Sequence, residues 1–180
     1  MFFPDLIIRA YAKYINNKNK LWINNPLEAQ QKTFEMLIKK GRKTVYGKKN
    51  RFEKIQNYND FKTSVPIVEY EDIKPFISLI RKGKKNILGP GKPIYLCKTS
   101  GTTSGTKYIP ISKESMPYHI RCAKDAILNY IHRTGNTSSV KGGTIFIQGS
   151  PKLDFSESIP IGRLSGITAH YVPWYLKRNN

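Results

Sequence analysis

The segment that most constrains this chain is Thr99-Ser100-Gly101-Thr102-Thr103-Ser104-Gly105-Thr106-Lys107, in which nearly every residue is a glycine or carries a hydroxyl. It joins two β-rich runs, Ile94 to Lys98 and Tyr108-Ile109-Pro110-Ile111. Glycine lets backbone approach an anion closely, and hydroxyls and amides bond phosphate oxygens. Lys107 adds a point charge. A polar loop set between regular elements fits a phosphate cradle. By composition alone it also fits a flexible surface loop. It is not a Walker A loop, because three residues separate Gly101 from Gly105 and Thr106 follows. It is not a nucleophile elbow, because Ser104 lacks glycines on both sides at the required spacing.

The flanking pattern predicts an α/β chain. A short helix is expected over residues 5–16. A stronger one is expected from Asn25, its cap, through Pro26 and Glu28 to Gly41. Residues 42–56 are basic and read as loop. Asp60-Phe61 suggests a helical turn, and Glu69 to Arg81 a helix ended by Gly83. The longest helix is expected over Ser112 to His132, capped by Ser112, with Met116, Ile120, Ala123, Ile127 and Ile131 on one stripe. Thr134-Gly135-Asn136 stops it. Thr144 to Gln148 reads as a strand and Ile167 to Val172 as a weaker one.

Lys and Arg number 31 against 12 Asp and Glu, a formal charge of +19. Such a balance raises the class of basic nucleic-acid-binding modules. The excess is spread evenly, at +8, +6 and +5 over successive thirds, not gathered in a patch or tail. An AT-rich coding sequence, rich in Lys, Asn and Ile, explains that spread, so a nucleic-acid partner is not expected. No apolar run approaches the roughly 20 residues that cross a bilayer, and no signal peptide is visible, so no membrane partner is expected. The cysteines, Cys97 and Cys122, form no CxxC pair, which fits a reducing, cytoplasmic setting.

Other chemistry-bearing residues have plain structural readings. His119 and Cys122 lie three apart but lack a second ligand pair, so no metal site is assigned. Cys97 reads as a small core residue, His132 as a favourable charge near a helix C-terminus, and His170 as structural. Asp154 and Glu157 read as a solvated loop and not as a catalytic pair. Trp174 and Tyr175 beside Lys177-Arg178 suggest either a packed end or a base-stacking patch, and packing is favoured.

The order of residues in the loop carries more than their composition. Ser100-Gly101-Thr102-Thr103-Ser104-Gly105, with Lys107 and Ile109-Pro110, resembles the phosphate-binding signature of adenylate-forming enzymes. Within that superfamily the chain is similar to the auxin-responsive Gretchen Hagen family of acyl-acid amido synthetases. Thr44-Val45-Tyr46-Gly47-Lys48 resembles that family's Thr-x-Tyr-Gly element. Tyr58-Asn59-Asp60-Phe61, Val65-Pro66-Ile67, Tyr70-Glu71-Asp72, Leu88-Gly89-Pro90-Gly91 and Gly162 to Ile167 extend the likeness from about residue 30 to the end. One departure stands out. Lys107 comes one residue early, and Tyr108 takes the usual lysine position.

The resemblance implies an incomplete N-terminal part of an adenylate-forming enzyme's large domain, over residues 1–180, with a mixed sheet and packed helices. It implies a phosphate-binding loop over 99–107, with Ser100, Gly101, Thr102, Thr103, Ser104, Gly105, Thr106 and Lys107 as ATP-binding residues. It further implies ATP and Mg²⁺ as cofactors, and a carboxylic acid and an amino acid as substrates. The acid is adenylated and then passed to the amine. A related enzyme with a thiol acceptor is the alternative within the superfamily. No later acidic motif, ribose-binding aspartate or mobile C-terminal domain follows residue 150, so the chain is expected to be an N-terminal fragment inactive on its own.

Overall fold

The structure is a computed structural model that describes residues 3–99, 105–141 and 149–172. Its centre is a three-stranded sheet in the order β2-β1-β3. Here β1 is Tyr95–Lys98, β2 is Tyr108–Ile111 and β3 is Ile161–Gly162. The first pair is antiparallel, with Leu96 opposite Pro110. The second is parallel, with Leu96 opposite Ile161.

Successive strand residues point to opposite faces, and β1 uses both. Leu96 is buried with Phe76, Ile77, Ile80, Ile87, Ile159 and Ile161. Cys97 is buried with Ile111, Met116 and Ile167 on the other side. The first face is covered by α5 (Tyr70–Arg81), and the second by the start of α6 (Met116–Thr134) and by α7 (Leu164–Ala169). This is the mixed sheet with packed helices expected of an α/β chain.

The first helix is longer than expected. Helix α1 runs Phe3–Asn24 and does not end near residue 16. It packs Ala12, Ile8 and Ile15 against Leu128 and Ile131 of α6. Asn16 and Asn19 then continue the contact through side-chain bonds to Asn129 and Asp125. Tertiary contact therefore carries helix through an asparagine-rich stretch of weak propensity. The second helix, α2, is Pro26–Gly41 as expected. Asn25 does not cap it with its side chain, whose amide donates instead to the Leu21 carbonyl at 3.1 Å.

Residues 42–56 are not loop. They hold α3 (Val45–Lys49) and a short 3₁₀ turn, Phe52–Lys54. The Thr44 hydroxyl accepts from the Gly47 N–H at 2.9 Å and donates to the Gly41 carbonyl at 2.7 Å. A Cβ on Gly47 would lie 2.1 Å from that carbonyl oxygen, so only glycine permits the approach of α2 to α3. Val45 and Tyr46 N–H groups bond the Asn86 and Ile87 carbonyls. The Tyr46 ring packs edge-on against Phe76, 5.5 Å between centroids. The Thr-x-Tyr-Gly element is thus the joint between α2 and the covered face of the sheet.

Helix α4 is Tyr58–Ser64, with a capping box from Asn57 and Asp60. Ser112 does not cap α6 directly. In a turn before the helix, the backbone N–H of each of Ser112 and Ser115 donates to the other's hydroxyl at 3.0 Å. The inner stripe of α6 also differs, since Leu128 is buried while Ile127 is 46% exposed. Gly135, at φ +69°, stops the helix. The strand expected over 167–172 is instead the end of α7 followed by a turn. Gly166 of this helix sits so close to Ser150 that a Cβ would be 2.1 Å from the Ser150 carbonyl oxygen. Backbone packing overrides the β propensity of Ile167 and Thr168 there. The strand expected over 144–148 lies outside the described residues.

Gly47→Ala is expected to lower stability by about 1–3 kcal/mol, the usual cost of forcing atoms into a filled space. The denaturation midpoint reads this directly, and an unchanged midpoint would contradict the close approach.

Candidate phosphate-binding site

The loop rises from a closed neck. The Thr99 N–H donates to the Lys107 carbonyl at 3.0 Å, and the Lys107 N–H donates to the Thr99 hydroxyl at 3.3 Å. These bonds continue the β1–β2 ladder by one step beyond Lys98 and Tyr108. Gly105 has φ +77°, with nothing within 4 Å of a Cβ placed there. Its requirement for glycine is conformational and not steric. Gly105 and Thr106 are exposed and Lys107 is half-buried. Ser100, Gly101, Thr102, Thr103 and Ser104 lie outside the described residues.

The departure at the loop's end has a structural account. Tyr108 packs against the core face around Leu96. The Arg81 guanidinium lies over its ring, 4.6 Å from the centroid. The tyrosine in the usual lysine position is therefore turned into the protein, and Lys107 is the cation at the neck. Its Nζ lies 5.6 Å from the centroid of the Tyr70 ring, within cation–π range. The Tyr70 hydroxyl accepts the Tyr108 N–H at 2.8 Å.

Arg81 is itself held by Glu157, to which its Nε donates at 2.8 Å. That bond holds the Glu157 carboxyl below its ordinary range and raises the affinity of Arg81 for its proton. Glu157 is thus not the solvated loop residue expected.

Asp154 also has a defined place. It lines a cleft of about 550 Å³ with Lys98, Lys152, Arg163, Leu153 and Phe155. The Ser156 N–H, at 2.9 Å, and the nearby charge of Lys98 hold its carboxyl below the ordinary range. The cleft opens where the parallel strands β1 and β3 end at Lys98 and Gly162, and the loop leaves β1 at the same end. Crevices outside the carboxyl ends of parallel strands are the usual ligand positions of α/β sheets. Three cations against one carboxylate give this one an anion-attracting wall.

The other candidates keep plain roles. Cys97 is buried, and burial pushes its thiol up. His170 places Nε2 2.8 Å from the Pro151 carbonyl oxygen, next to the cleft segment. Among the described residues, no group of three or more His, Cys, Asp or Glu is placed to hold a metal ion. None of their helices is long and apolar enough to cross a membrane. Trp174, Tyr175, Lys177 and Arg178 lie outside the described residues. Sequence reading missed Tyr70, Arg81 and Glu157 as supports of the loop. Only Tyr70 carried a signal, as part of the Tyr-Glu-Asp stretch.

The mixed sheet between packed helices is shared with part of a solved acyl acid amido synthetase structure. The solved structure of AtGH3.15 acyl acid amido synthetase in complex with 2,4-DB superposes with a TM-score of 0.76 at 19% identity, covering 96% of this chain and 30% of that one. The GH3 family N-terminal domain matches residues 17–176, and the chain belongs to that family. It is 24% identical over 164 residues to the jasmonoyl–L-amino acid synthetase JAR4 of Nicotiana attenuata, covering 89% of this chain and 26% of the relative. It is 32% identical over 98 residues to the indole-3-acetic acid-amido synthetase GH3.15 of Arabidopsis thaliana, covering 53% of this chain and 16% of the relative. The chain thus spans about a quarter or less of the length of these curated relatives.

The Arg81–Glu157 pair yields a pH test. Glu157 binds its proton more weakly when folded, so its contribution is present above the unfolded value near 4.5 and is lost as pH falls through the lower folded value. The stability advantage of the native protein over Glu157→Gln is expected to be about 1 kcal/mol or less, since the pair is partly exposed. It should shrink as pH is lowered from about 6 to about 3. A difference in denaturation midpoint that stays constant across that range contradicts the pairing.

Proposed function

We propose that this chain supplies the ATP-phosphate-binding part of an enzyme that adenylates a carboxylic acid and joins it to an amino acid. One observation carries the reading. A glycine- and hydroxyl-rich loop leaves the central strand through a closed neck, beside a cationic cleft, in a member of the GH3 family. The curated relatives are named as a jasmonoyl–L-amino acid synthetase and an indole-3-acetic acid-amido synthetase, which supports the same chemistry here.

In this reading Ser100, Gly101, Thr102, Thr103, Ser104, Gly105 and Thr106 surround the β- and γ-phosphates with amides and hydroxyls, and Lys107 supplies positive charge at the neck. Mg²⁺ would be held mainly by the nucleotide phosphates, with the loop hydroxyls beside it, and would supply further neutralisation of phosphate charge. Holding the phosphates lets the acid's carboxylate oxygen approach the α-phosphorus in line. The P–O bond to pyrophosphate breaks as the acyl–O–P bond forms, and neutralisation by the loop stabilises the departing charge. The amine of an amino acid then attacks the acyl carbon, AMP leaves with the bonding pair, and the amine proton is released. Lys98, Lys152 and Arg163 give the acid an anion-attracting approach to the same end of the sheet. A cytoplasmic setting fits the unpaired cysteines.

The 180-residue chain is expected to bind Mg·ATP. Thr102→Ala with Thr103→Ala should weaken that binding about tenfold, equivalent to about 1.4 kcal/mol. Calorimetric titration measures both, and equal affinities would refute the loop's role. The chain alone is expected to show no carboxylate-dependent ATP–pyrophosphate exchange, because it spans so little of its relatives. Robust exchange by the chain alone would overturn that division of labour.

A further inference from the structure

The peptide between Lys107 and Tyr108 is held from both sides. Its carbonyl, on Lys107, accepts the Thr99 N–H at 3.0 Å. Its N–H, on Tyr108, donates to the Tyr70 hydroxyl at 2.8 Å. The carbonyl of the same peptide faces β1, so this N–H points to the outer side of β2, which is at the edge of the described sheet. A backbone donor there is satisfied by water, by another strand or by a side chain. Here a tyrosine from the first turn of α5 supplies the acceptor.

Tyr70 is in turn well fixed. It is the first residue of α5, directly after a capping box in which the Glu69 N–H donates to Asp72 at 2.8 Å. Its ring packs against the core around Leu96. The same ring faces the Lys107 ammonium at 5.6 Å. One side chain therefore meets the two features that decide where the loop's cation stands, namely the plane of the peptide that follows Lys107 and the position of its Nζ. The early lysine makes this consequential, because Tyr108 points into the core and leaves Lys107 as the cation at the neck.

We propose that Tyr70 is a positioning residue for the phosphate-binding loop, its hydroxyl fixing the Lys107–Tyr108 peptide and its ring holding the Lys107 ammonium at the neck. This rests on the reading of the loop as a phosphate site. Tyr70 acts through Lys107 and does not itself touch phosphate.

The test uses the 180-residue chain and inorganic pyrophosphate as the probe, titrated by calorimetry. Tyr70→Phe keeps the ring and removes the acceptor, while Tyr70→Leu removes both. Binding is expected to weaken about threefold in Tyr70→Phe and about tenfold in Tyr70→Leu, within the range of coupling between touching groups. Amide exchange at Tyr108 should quicken in both. In a Lys107→Gln background the Tyr70 substitutions should change pyrophosphate affinity by less than about twofold, because the group being positioned is gone. A purely structural role would give the same loss with or without Lys107, and that result overturns the proposal. So does unchanged affinity in Tyr70→Phe and Tyr70→Leu while Thr102→Ala still weakens binding. If Thr102→Ala has no effect either, the phosphate-loop reading fails and the role of Tyr70 falls with it. Tyr70→Phe, which loses one hydroxyl, keeps the test usable should Tyr70→Leu not fold.

Discussion

Strand β1 is committed on every side. One edge pairs with β2, the other with β3, Leu96 is sealed into one core and Cys97 into another. A slip of one residue would exchange these two side chains between faces that are both closed, so the register is fixed. That register sets what lies beyond it. Thr99 meets Lys107 because Lys98 meets Tyr108, and the loop's neck is the next step of the same ladder. The parallel pairing with β3 brings Gly162 and Arg163 to the same end, where Lys98, Lys152 and Asp154 complete the cleft.

The supports of the neck come from the helix beneath it. Helix α5 contributes Tyr70 at its start and Arg81 at its end. Tyr70 takes the free N–H of the edge strand, and Arg81 covers the Tyr108 ring and reaches Glu157 in the segment before β3. The strong positive balance thus has two parts. Most of the basic excess is spread along the chain, but Arg81 and Lys107 are each matched to an aromatic ring beside the loop.

Much of this was legible in the order of residues. Elements with strong local signals, such as the Pro26 start and Gly41 end of α2, the Arg81 end of α5 and the Gly135 stop of α6, stand where they were expected. The glycine- and hydroxyl-rich segment was legible as a connection between two strands, and both strands are present. The missed caps at Asn25 and Ser112 trace to local side-chain bonds; most other misreadings come from contact between separate segments. Gly47 lies in a stretch read as loop and Gly166 just before one read as strand, yet each permits a close backbone approach within a helix. The helix expected to end at residue 16 continues past it, where α6 pairs with Asn16 and Asn19. Arg81 and Glu157 lie 76 residues apart, and no periodicity links them. Tyr70 sits 38 residues from Tyr108, and only its place in a family-like stretch marked it.

We propose that the loop on this neck holds the β- and γ-phosphates of ATP. Phosphorus-31 NMR of Mg·ATP titrated with the 180-residue chain tests it most directly, since each phosphate reports separately. The β and γ resonances are expected to shift and broaden while the α resonance moves least, and substitution of Lys107 should diminish the β and γ changes. Three phosphorus resonances that stay unmoved, or a shift confined to the α-phosphate, would contradict the account.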